Sequence, residues 1–475
     1  MKVLLINPSQ YSVYGGLYSP DYPPLGLGYI GAVLENANHK VKIIDIDADH
    51  ITKKKLISIL KSFNPSVVGI TATTPTFNNA EIIAKTVKES INVPVILGGI
   101  HVTIAFKSCI YSKYIDFIVR GEGENTIVEL IDELEKNKTN FSKINGLIFK
   151  KDKKIIYNRP RELIKNLDSI PFPARHLFNH QKYTYPDALY NPAMPIITSR
   201  GCPGLCTFCC TKLIFSRLPR FRSAKNVVDE IELLVEKYKV KEIHIWDDNF
   251  TLAKKRVFEI YDEIKRRHIE LAFAFPNGMR VDQVNYQILK TLKKMGTHTI
   301  AFGVESGNQQ ILDRIKKGIT LDQIEKAFQL AKSLKIDTWA FFMIGLPDET
   351  NQTINDTINF AKKIDPDVAK FHILTPFPGT EVFKEFLKNG FIIETDYSKF
   401  GIHTPPVHRL QDVNEKTLVL LQKKAYIKFY FNPQKIIKEI LRLKSWTRFK
   451  LDFHVFVTIF KTMKCGLKPK ISPKE

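Results

Sequence analysis

Short apolar runs alternate with amphipathic helical segments along most of the chain, and this alternation limits the folds that the chain can adopt. Apolar strands that alternate with helices predict a parallel sheet, because each crossover helix returns the chain to the edge where the next strand begins. The first part of the chain therefore predicts a doubly wound parallel α/β sheet. Its five predicted strands cover residues 3–6, 41–46, 67–71, 93–97 and 117–119.

A second series of strand–helix units follows residue 192. Repeated units of this kind predict a parallel barrel or part of one, in which the residues that carry chemistry lie at the carboxyl ends of the strands. The six predicted strands lie near residues 195–199, 242–246, 271–275, 299–304, 338–344 and 369–374.

We divide the 475 residues into four segments. The doubly wound domain covers residues 1–140, and the barrel covers residues 188–410. Residues 141–187 form a linker with a small hairpin, whose turn lies near Asp152, followed by a proline-rich extended stretch. Residues 411–475 form a basic, aromatic and helical C-terminal tail.

Cys202, Cys206 and Cys209 lie close together in the loop after the first barrel strand. Closely spaced thiols of this kind indicate metal binding in a reducing compartment. Thiolates suit iron–sulfur clusters, and three ligands leave one iron of a 4Fe-4S cluster open. A structural zinc or redox thiol site is the alternative, although a structural zinc ion needs a fourth ligand. Cys210 is the obvious candidate for that ligand, but it is adjacent to Cys209 and so points elsewhere.

The spacing Cys-x3-Cys-x2-Cys, with Phe208 before the last cysteine, resembles the signature of radical S-adenosylmethionine (SAM) enzymes. The resemblance implies that SAM chelates the open iron and that the reduced cluster cleaves SAM to a 5′-deoxyadenosyl radical. In that family the radical abstracts hydrogen from an unactivated carbon. The six predicted strands match the partial barrel of the same family.

Two further strand ends resemble the SAM-binding segments of this family. Residues 303–307 follow the fourth barrel strand, and residues 343–347 follow the fifth, where Phe341 replaces the first glycine of the family's motif. The residues implied to bind SAM are Glu305, Ser306, Ile344, Gly345 and Pro347.

Asp247 and Asp248 follow the second barrel strand. Paired carboxylates at a strand end can accept hydrogen bonds from ammonium or hydroxyl groups, and in the resembling family this position lies near SAM and cobalamin. We therefore expect the catalytic carboxylates to be Asp247, Asp248 and Glu305. Capping of the following helix is the alternative for Asp248, or for Asn249 beside it. We expect Arg200 and Arg222 to form structural salt bridges.

Three loops of the first domain resemble the cobalamin-binding domain that precedes many radical SAM cores. They are Pro-Pro-Leu-Gly-Leu at residues 23–27, Gly-Gly-x-His at residues 98–101 and Gly-Glu-Gly-Glu at residues 121–124. The residues implied to hold cobalamin are Pro24, Leu25, Gly26, Thr71, Thr73, Gly98, Gly99, His101, Gly121, Glu122 and Gly123. The Asp-x-His-x-x-Gly motif is absent after the first strand, so cobalamin would bind without a histidine from that loop. We expect His101 to be a turn residue rather than a cobalt ligand.

Together these features resemble the cobalamin-dependent radical SAM methyltransferases and the anaerobic magnesium-protoporphyrin ester cyclases. The resemblance implies a Rossmann-like cobalamin domain, a partial (β/α)6 barrel, and methyl transfer to an unactivated carbon. Oxidative cyclisation, or another C–H rearrangement of a porphyrin-like or lipid substrate, is the alternative. A non-catalytic cobalamin or metal sensor that binds nucleic acid is a more distant one, because a sensor needs no SAM pocket.

The formal net charge of +22 suggests either an acidic partner or a lysine-rich composition without one. Residues 434–442 would form a basic amphipathic helix, compatible with a membrane surface or with packing against the barrel. No run reaches the roughly 18 apolar residues of a membrane span. We expect a cytoplasmic enzyme, with peripheral membrane contact as an option for the tail.

The expected partners are a small-molecule or lipid substrate and an external electron donor such as flavodoxin or ferredoxin. Nucleic acid is not expected, because the aromatic and basic tail carries no recognition motif.

Overall fold

Two sheets organise this computed structural model, which describes residues 1–11, 13, 22–136, 140–185, 187–433 and 435. The strands of the first sheet are Lys2–Asn7 (β1), Lys40–Asp45 (β2), Val67–Thr71 (β3), Val95–Gly98 (β4), Phe117–Val119 (β5), Leu147–Lys151 (β6) and Lys154–Tyr157 (β7). Its helices are Leu25–Asn36 (α1), Lys53–Phe63 (α2), Phe77–Ser90 (α3), Ile100–Cys109 (α4) and Glu124–Glu135 (α5). The strand order is β2-β1-β3-β4-β5-β6-β7, and the first five strands are parallel.

Alternate residues of β1 are buried on opposite faces of this sheet. Val3 and Leu5 pack in a cluster with α1 and α5, whereas Leu4 and Ile6 pack with α2 and α3. A strand buried on both faces reads as a continuous apolar run, as β1 does. The predicted doubly wound sheet is confirmed.

The predicted hairpin is present, and its turn residues Asp152 and Lys153 both have positive φ, as a tight two-residue hairpin turn requires. It does not stand apart as a linker element, because β6 pairs antiparallel with β5. The first sheet therefore continues past the predicted boundary at residue 140 and ends at Tyr157. The boundary depends on the pairing of β6 with β5. Hydrophobic periodicity predicts a hairpin but does not indicate which strand the hairpin will pair with.

The remaining strands are Ala193–Ile196 (β8), Ser199–Arg200 (β9), Arg220–Phe221 (β10), Glu242–Ile245 (β11), Ala272–Met279 (β12), Thr297–Glu305 (β13), Asp337–Ile344 (β14) and Val368–Ile373 (β15). The remaining helices are Thr211–Ile214 (α6), Ala224–Tyr238 (α7), Lys254–Arg266 (α8), Tyr286–Lys294 (α9), Gln309–Arg314 (α10), Leu321–Ser333 (α11), Asn351–Ile364 (α12), Glu381–Lys388 (α13) and Glu415–Tyr430 (α14). The second sheet has the order β15-β14-β13-β12-β11-β8, and every pair in it is parallel.

The second sheet is an open, partial barrel, since no ladder joins β15 to β8 in the described residues. Its outer face packs against the helices through alternate aromatic side chains such as Phe302 and Phe342. We call the opposite face, which carries Ala301 and Trp339, the inner face. The first domain covers part of the inner side, where the Tyr22 ring lies 4.9 Å from the ring of Trp246, just beyond β11.

Helix α14 closes the outer edge of the barrel. The Tyr430 hydroxyl accepts a hydrogen bond from Ala369 N (3.0 Å), and the Tyr426 hydroxyl accepts one from Phe371 N (3.1 Å). Gln422 Nε2 donates to Phe371 O at 2.7 Å. The first part of the predicted tail therefore belongs to the barrel. The predicted amphipathic helix at 434–442 falls, apart from residue 435, outside the described residues, in which no helix is long and apolar enough to cross a bilayer.

Candidate active site at the domain interface

The cysteine loop is held at both ends by one carboxylate. Asp248 Oδ2 accepts a hydrogen bond from Gly201 N (3.1 Å), and its Oδ1 accepts one from the Thr211 hydroxyl (3.1 Å). In the middle of the loop, Thr207 N donates to Ile315 O (3.0 Å). Gly201 has a φ of +92°, and a side-chain carbon there would lie 3.0 Å from Leu218 O. This position therefore requires glycine.

The Cys202 and Cys206 thiols lie beside Gly204, and Cys209 is close enough for its charge to act on both. A side-chain carbon added to Gly204 would lie 3.4 Å from Cys202 Sγ, 3.7 Å from Cys206 Sγ and 3.6 Å from Arg280 Nη1. Burial raises the pKa of the Cys202 and Cys206 thiols, and the charge of Cys209 raises both further. Such thiols lose their protons most readily to a metal centre.

The sulfur spacing argues against a single zinc ion, which would hold its thiolate ligands about 3.8 Å apart. Within the described part of the chain, the only three metal-ligating side chains whose ligand atoms all lie within 4.8 Å of one another are His39, Asp132 and Glu135. The cysteines are therefore more widely spaced than zinc requires, and Cys210 does not complete a tighter group. The convergent trio fits a larger cluster.

Asp247 and Asp248 have different surroundings. Asp247 accepts hydrogen bonds from Thr198 N (2.6 Å), the Thr198 hydroxyl (2.5 Å) and the Ser199 hydroxyl (2.6 Å), so its carboxylate fixes the chain ahead of the cysteine loop. Asp248 lines the cavity described below, and burial raises the pKa of its carboxyl. Of the two, only Asp248 offers a carboxylate to that cavity.

Glu305 lies beside the thiols. Its Oε1 accepts a hydrogen bond from Lys317 Nζ at 2.6 Å, and both charges act on the Cys206 thiol. A register shift between Gly303 and Glu305, together with a φ of +68° at Glu305, turns the carboxylate toward Lys317. A side-chain carbon on Gly303 would lie 2.7 Å from Glu305 Oε1, so glycine leaves room for this ion pair.

The other residues predicted to bind SAM are buried in the protein. The Ser306 hydroxyl pairs with Thr357 Oγ1 (3.1 Å) and accepts from Asn308 N (3.2 Å). Gly345 N donates to Glu349 Oε2 (2.7 Å), and Gly345 O lies 2.9 Å from His408 Nε2. Ile344 and Pro347 are also buried. The polar atoms of Ser306 and Gly345 are therefore used within the fold.

A cavity lies between the first domain and the cysteine side of the barrel, at the carboxyl ends of β1, β3 and β4, where ligands bind in doubly wound sheets. Gly26, Gly98 and Gly121 line it, and a side-chain carbon added to any of them would meet no protein atom closer than 4.0 Å. These glycines keep backbone exposed to open space, which fits a bulky flat ligand such as a corrin.

The remaining residues predicted to hold cobalamin divide between the cavity wall and its surroundings. Thr71, Gly99, Glu122 and Gly123 also line the cavity. Thr73 is exposed and caps the turn that ends at Thr76, through a hydroxyl–hydroxyl distance of 2.9 Å. Pro24 and Leu25 form the start of α1 rather than the wall.

His101 lies outside the cavity wall and is the second residue of α4 rather than part of a turn, because α4 begins directly after Gly99. Its ring packs between those of Phe77 (4.7 Å) and Tyr397 (4.8 Å), and Nδ1 lies 3.2 Å from the Thr74 hydroxyl. Burial lowers the pKa of His101 to about 4. The side chain thus joins the first domain to the loop that carries Tyr397.

The carboxylates of the Gly-Glu-Gly-Glu segment bind arginines of the cysteine-loop hairpin. Arg200 donates to Glu122 Oε1 (2.8 Å) and Glu124 Oε1 (2.6 Å), and Arg220 donates to both oxygens of Glu122. Arg200 and both glutamates are buried. The expected salt bridge of Arg200 is confirmed, as is that of Arg222, which pairs with Glu230.

Several residues around these sites were not identified from the sequence. Phe215 and Trp246 complete the cavity wall from the barrel side, and Lys317 and Arg280 place cations beside the thiols. Trp246 could have been suspected, because it directly precedes Asp247 at a strand end. Lys317 carried no local signal, since only the turn after α10 brings it to Glu305.

Comparison with known families matches both parts of this site. Residues 196–361 match the radical SAM superfamily, and residues 11–131 match the B12 binding domain. The solved structure of the cobalamin-dependent SAM radical enzyme OxsB, with aqua-cobalamin and SAM bound, superposes with a TM-score of 0.74. The superposition covers 97% of this chain and 72% of that one at 17% identity, which shows a shared fold.

Two relatives extend the match in sequence. An uncharacterized methyltransferase of Pyrococcus horikoshii is 38% identical over 93% of this chain and 95% of its own. The anaerobic magnesium-protoporphyrin IX monomethyl ester cyclase of Cereibacter sphaeroides is 32% identical over 85% of this chain and 66% of its own. With a radical SAM core, a B12-binding domain and full-length similarity of this kind, the chain belongs to the cobalamin-dependent radical SAM enzymes.

Proposed function

We propose that this enzyme transfers a methyl group to an unactivated carbon of a small-molecule substrate. One observation carries the proposal: Asp248 lines the interdomain cavity and also holds both ends of the cysteine loop. The carboxylate thereby couples the wall of the B12-binding cavity to the loop of the thiols. When bound, the cluster, SAM and cobalamin supply the electron, the radical precursor and the methyl group.

In this proposal the chain's own residues bind and orient these groups. Cys202, Cys206 and Cys209 would ligate the cluster, and the Glu305 carboxylate would bind polar groups of SAM. The backbone around Gly26, Gly98 and Gly121 would lie against the corrin, and the loop after β1 offers it no histidine. Apolar side chains of the cavity wall would keep water from a reactive radical.

Oxidative cyclisation is the second candidate, favoured by the 32% identity to the Cereibacter sphaeroides cyclase. Both candidates require an external one-electron donor, for which we propose a small carrier such as flavodoxin or ferredoxin. Peripheral membrane contact through residues 434–442, and with it a lipid substrate, stays a prediction from the sequence.

Anaerobic reconstitution tests the proposal directly. With SAM and a strong reductant, the enzyme should form 5′-deoxyadenosine, and Cys202→Ala, Cys206→Ala or Cys209→Ala should each reduce the yield at least 100-fold. Cys210→Ala is the matched control and should retain both cluster and yield, because Cys210 lies outside the convergent trio.

Methyl-deuterated SAM separates the two candidates. Methyl transfer predicts a product that is heavier by one labelled methyl group in mass spectrometry. A converted substrate without the label would exclude methyl transfer and leave cyclisation. If the wild-type enzyme carried the cluster and formed no 5′-deoxyadenosine, the radical chemistry itself would be refuted.

A further inference from the structure

Strand β15 places a lysine on the inner face of the barrel. Ala369 and Phe371 belong to the outer face, where they contribute to the main core. Because side chains alternate along a strand, Lys370 lies on the other face, and its Nζ sits 4.2 Å from the ring centre of Trp339 and 5.6 Å from that of Phe341. Trp339 packs there with Ala301 and Val368, which gives this region an apolar floor.

Lys370 differs from the other cations near the site. Lys317 is paired with Glu305, and Arg200 with Glu122 and Glu124. For Lys370, the described residues provide neither a carboxylate within 4.0 Å nor a hydrogen bond, and its ammonium group lies against the rings of Trp339 and Phe341. Cation–π contacts replace only part of the hydration that a buried cation loses.

His372, the next inner-face residue of β15, adds a polar atom to the same region. Its Nδ1 is buried and, in the part of the chain that the structure describes, has no hydrogen-bond partner. Burial, together with electrostatic repulsion from His403 and Lys370, lowers the pKa of His372 to about 3, so the imidazole is neutral. A neutral imidazole can donate one hydrogen bond to an oxygen of a ligand.

The register relates Lys370 to the cysteine loop. Gly303 on β13 pairs with Phe341 on β14, which pairs with Lys370 on β15. Two strand spacings, about 10 Å, therefore separate Lys370 from the strand that ends at Glu305. A small molecule held at Lys370 would span the inner face toward the thiols.

The geometry points to Lys370, with His372 beside it, as the site that binds an anionic group of the substrate, a carboxylate or a phosphoryl group, while Trp339 and Phe341 hold its apolar part. This inference rests on the proposed function, because it places the substrate within the barrel. The substrate is thus an organic anion rather than a neutral lipid or a cationic amine.

Iodide quenching of Trp339 tests anion binding without any knowledge of the substrate. In the full-length chain with Trp246→Phe and Trp446→Phe, Trp339 is the only tryptophan. Lys370→Gln should lower the iodide quenching constant at least threefold and leave quenching by neutral acrylamide unchanged. Lys255→Gln, which removes a lysine that is 92% exposed, is the charge-matched control and should leave both constants unchanged.

Acetate and inorganic phosphate, compared with chloride at equal ionic strength, should relieve iodide quenching in the parent and not in Lys370→Gln. Equal iodide constants in the parent and Lys370→Gln, or no relief by either anion, would overturn the inference.

Substrate-dependent 5′-deoxyadenosine formation by the reconstituted holoenzyme provides the second test. Metabolite fractions that stimulate it should be retained on an anion exchanger, and Lys370→Gln should raise the concentration needed for half-stimulation at least tenfold. If only the fractions that pass through the anion exchanger stimulated the reaction, the inference of an anionic substrate would be refuted, whereas the proposed radical chemistry would be unaffected. Absence of 5′-deoxyadenosine with every fraction would refute the proposed function itself.

Discussion

At the scale of single residues, spacing along the sequence identified the thiols, and the structure adds what holds them. Cys202, Cys206 and Cys209 were recognisable as candidate ligands because three thiols lie within eight residues. Lys317 was not, because its contact with Glu305 depends on a positive φ and a register shift at the end of β13. Backbone irregularities of this kind are not visible in the hydrophobic pattern of the sequence. Sequence patterns therefore identify candidate ligands better than the residues that surround them.

The surroundings of His101 were likewise not visible in the sequence, and they lead to a prediction about pH. Its folded-state pKa of about 4 lies below the ordinary value of 6.5, so below pH 6.5 the unfolded chain binds a proton that the folded chain does not. The free energy of unfolding therefore falls as the pH drops from about 6.5 toward 4. His101→Phe should remove about 2 kcal/mol of the loss between pH 7.5 and 5.0, measured by urea denaturation of the full-length chain.

Thr74→Val is the matched control for His101→Phe. It removes the hydroxyl beside Nδ1 and keeps the titrating ring, so it should lower the free energy of unfolding by about 1 kcal/mol at both pH values. His180, His403 and His408 also have their pKa lowered to about 4 by burial, so part of the acid sensitivity remains in any single variant. An unchanged pH slope in His101→Phe would contradict a buried, neutral ring.

At the scale of elements, strands and helices followed from hydrophobic periodicity, whereas their assignment to domains did not. The apolar run of β15 predicted a strand, but nothing in that run indicated that α14 would cover its free edge. Tyr426, Tyr430 and Gln422 bond the backbone of β15 with side chains, as a neighbouring strand would with its main chain. An edge strand left uncovered is prone to pair with other chains.

Tyr426→Phe should lower the free energy of unfolding by about 1–3 kcal/mol, because the buried Phe371 N–H loses its acceptor while the ring packing is retained. Leu420→Ala on the same helix is the control, since Leu420 is 63% exposed. It should change stability by less than about 0.5 kcal/mol. Equal stability of Tyr426→Phe and the wild type in urea denaturation would show that α14 contributes by apolar packing alone.

At the scale of the whole molecule, buried charges join the two domains. Glu122 and Glu124 lie in the first domain, and Arg200 and Arg220 flank the cysteine loop. In sequence, the Gly-Glu-Gly-Glu segment resembles a cobalamin-binding loop. Its glycines do line the cavity, and its carboxylates bind the other domain. One segment serves both purposes because its glycines leave space in the cavity while its glutamate side chains reach Arg200 and Arg220.

Arg200→Met should destabilise the protein by about 3–5 kcal/mol, because Glu124 is left buried without its cation. Adding Glu124→Gln should restore part of this loss, since the unpaired charge is then removed. Arg266→Met, at a side chain that is 67% exposed, is the control and should stay within about 0.5 kcal/mol of the wild type. Additive losses in the double variant would contradict direct coupling between Arg200 and Glu124.

The shared charges also restrict how such a chain can be recombined. A chimaera that joins this B12-binding domain to the barrel of a relative contains Glu122 and Glu124. Both carboxylates need guanidinium partners from the other domain. Grafting therefore succeeds only when the incoming barrel brings counterparts of Arg200 and Arg220, or when the acidic pair is neutralised at the same time. The two domains have separate folds, but their buried ion pairs require them to be exchanged together.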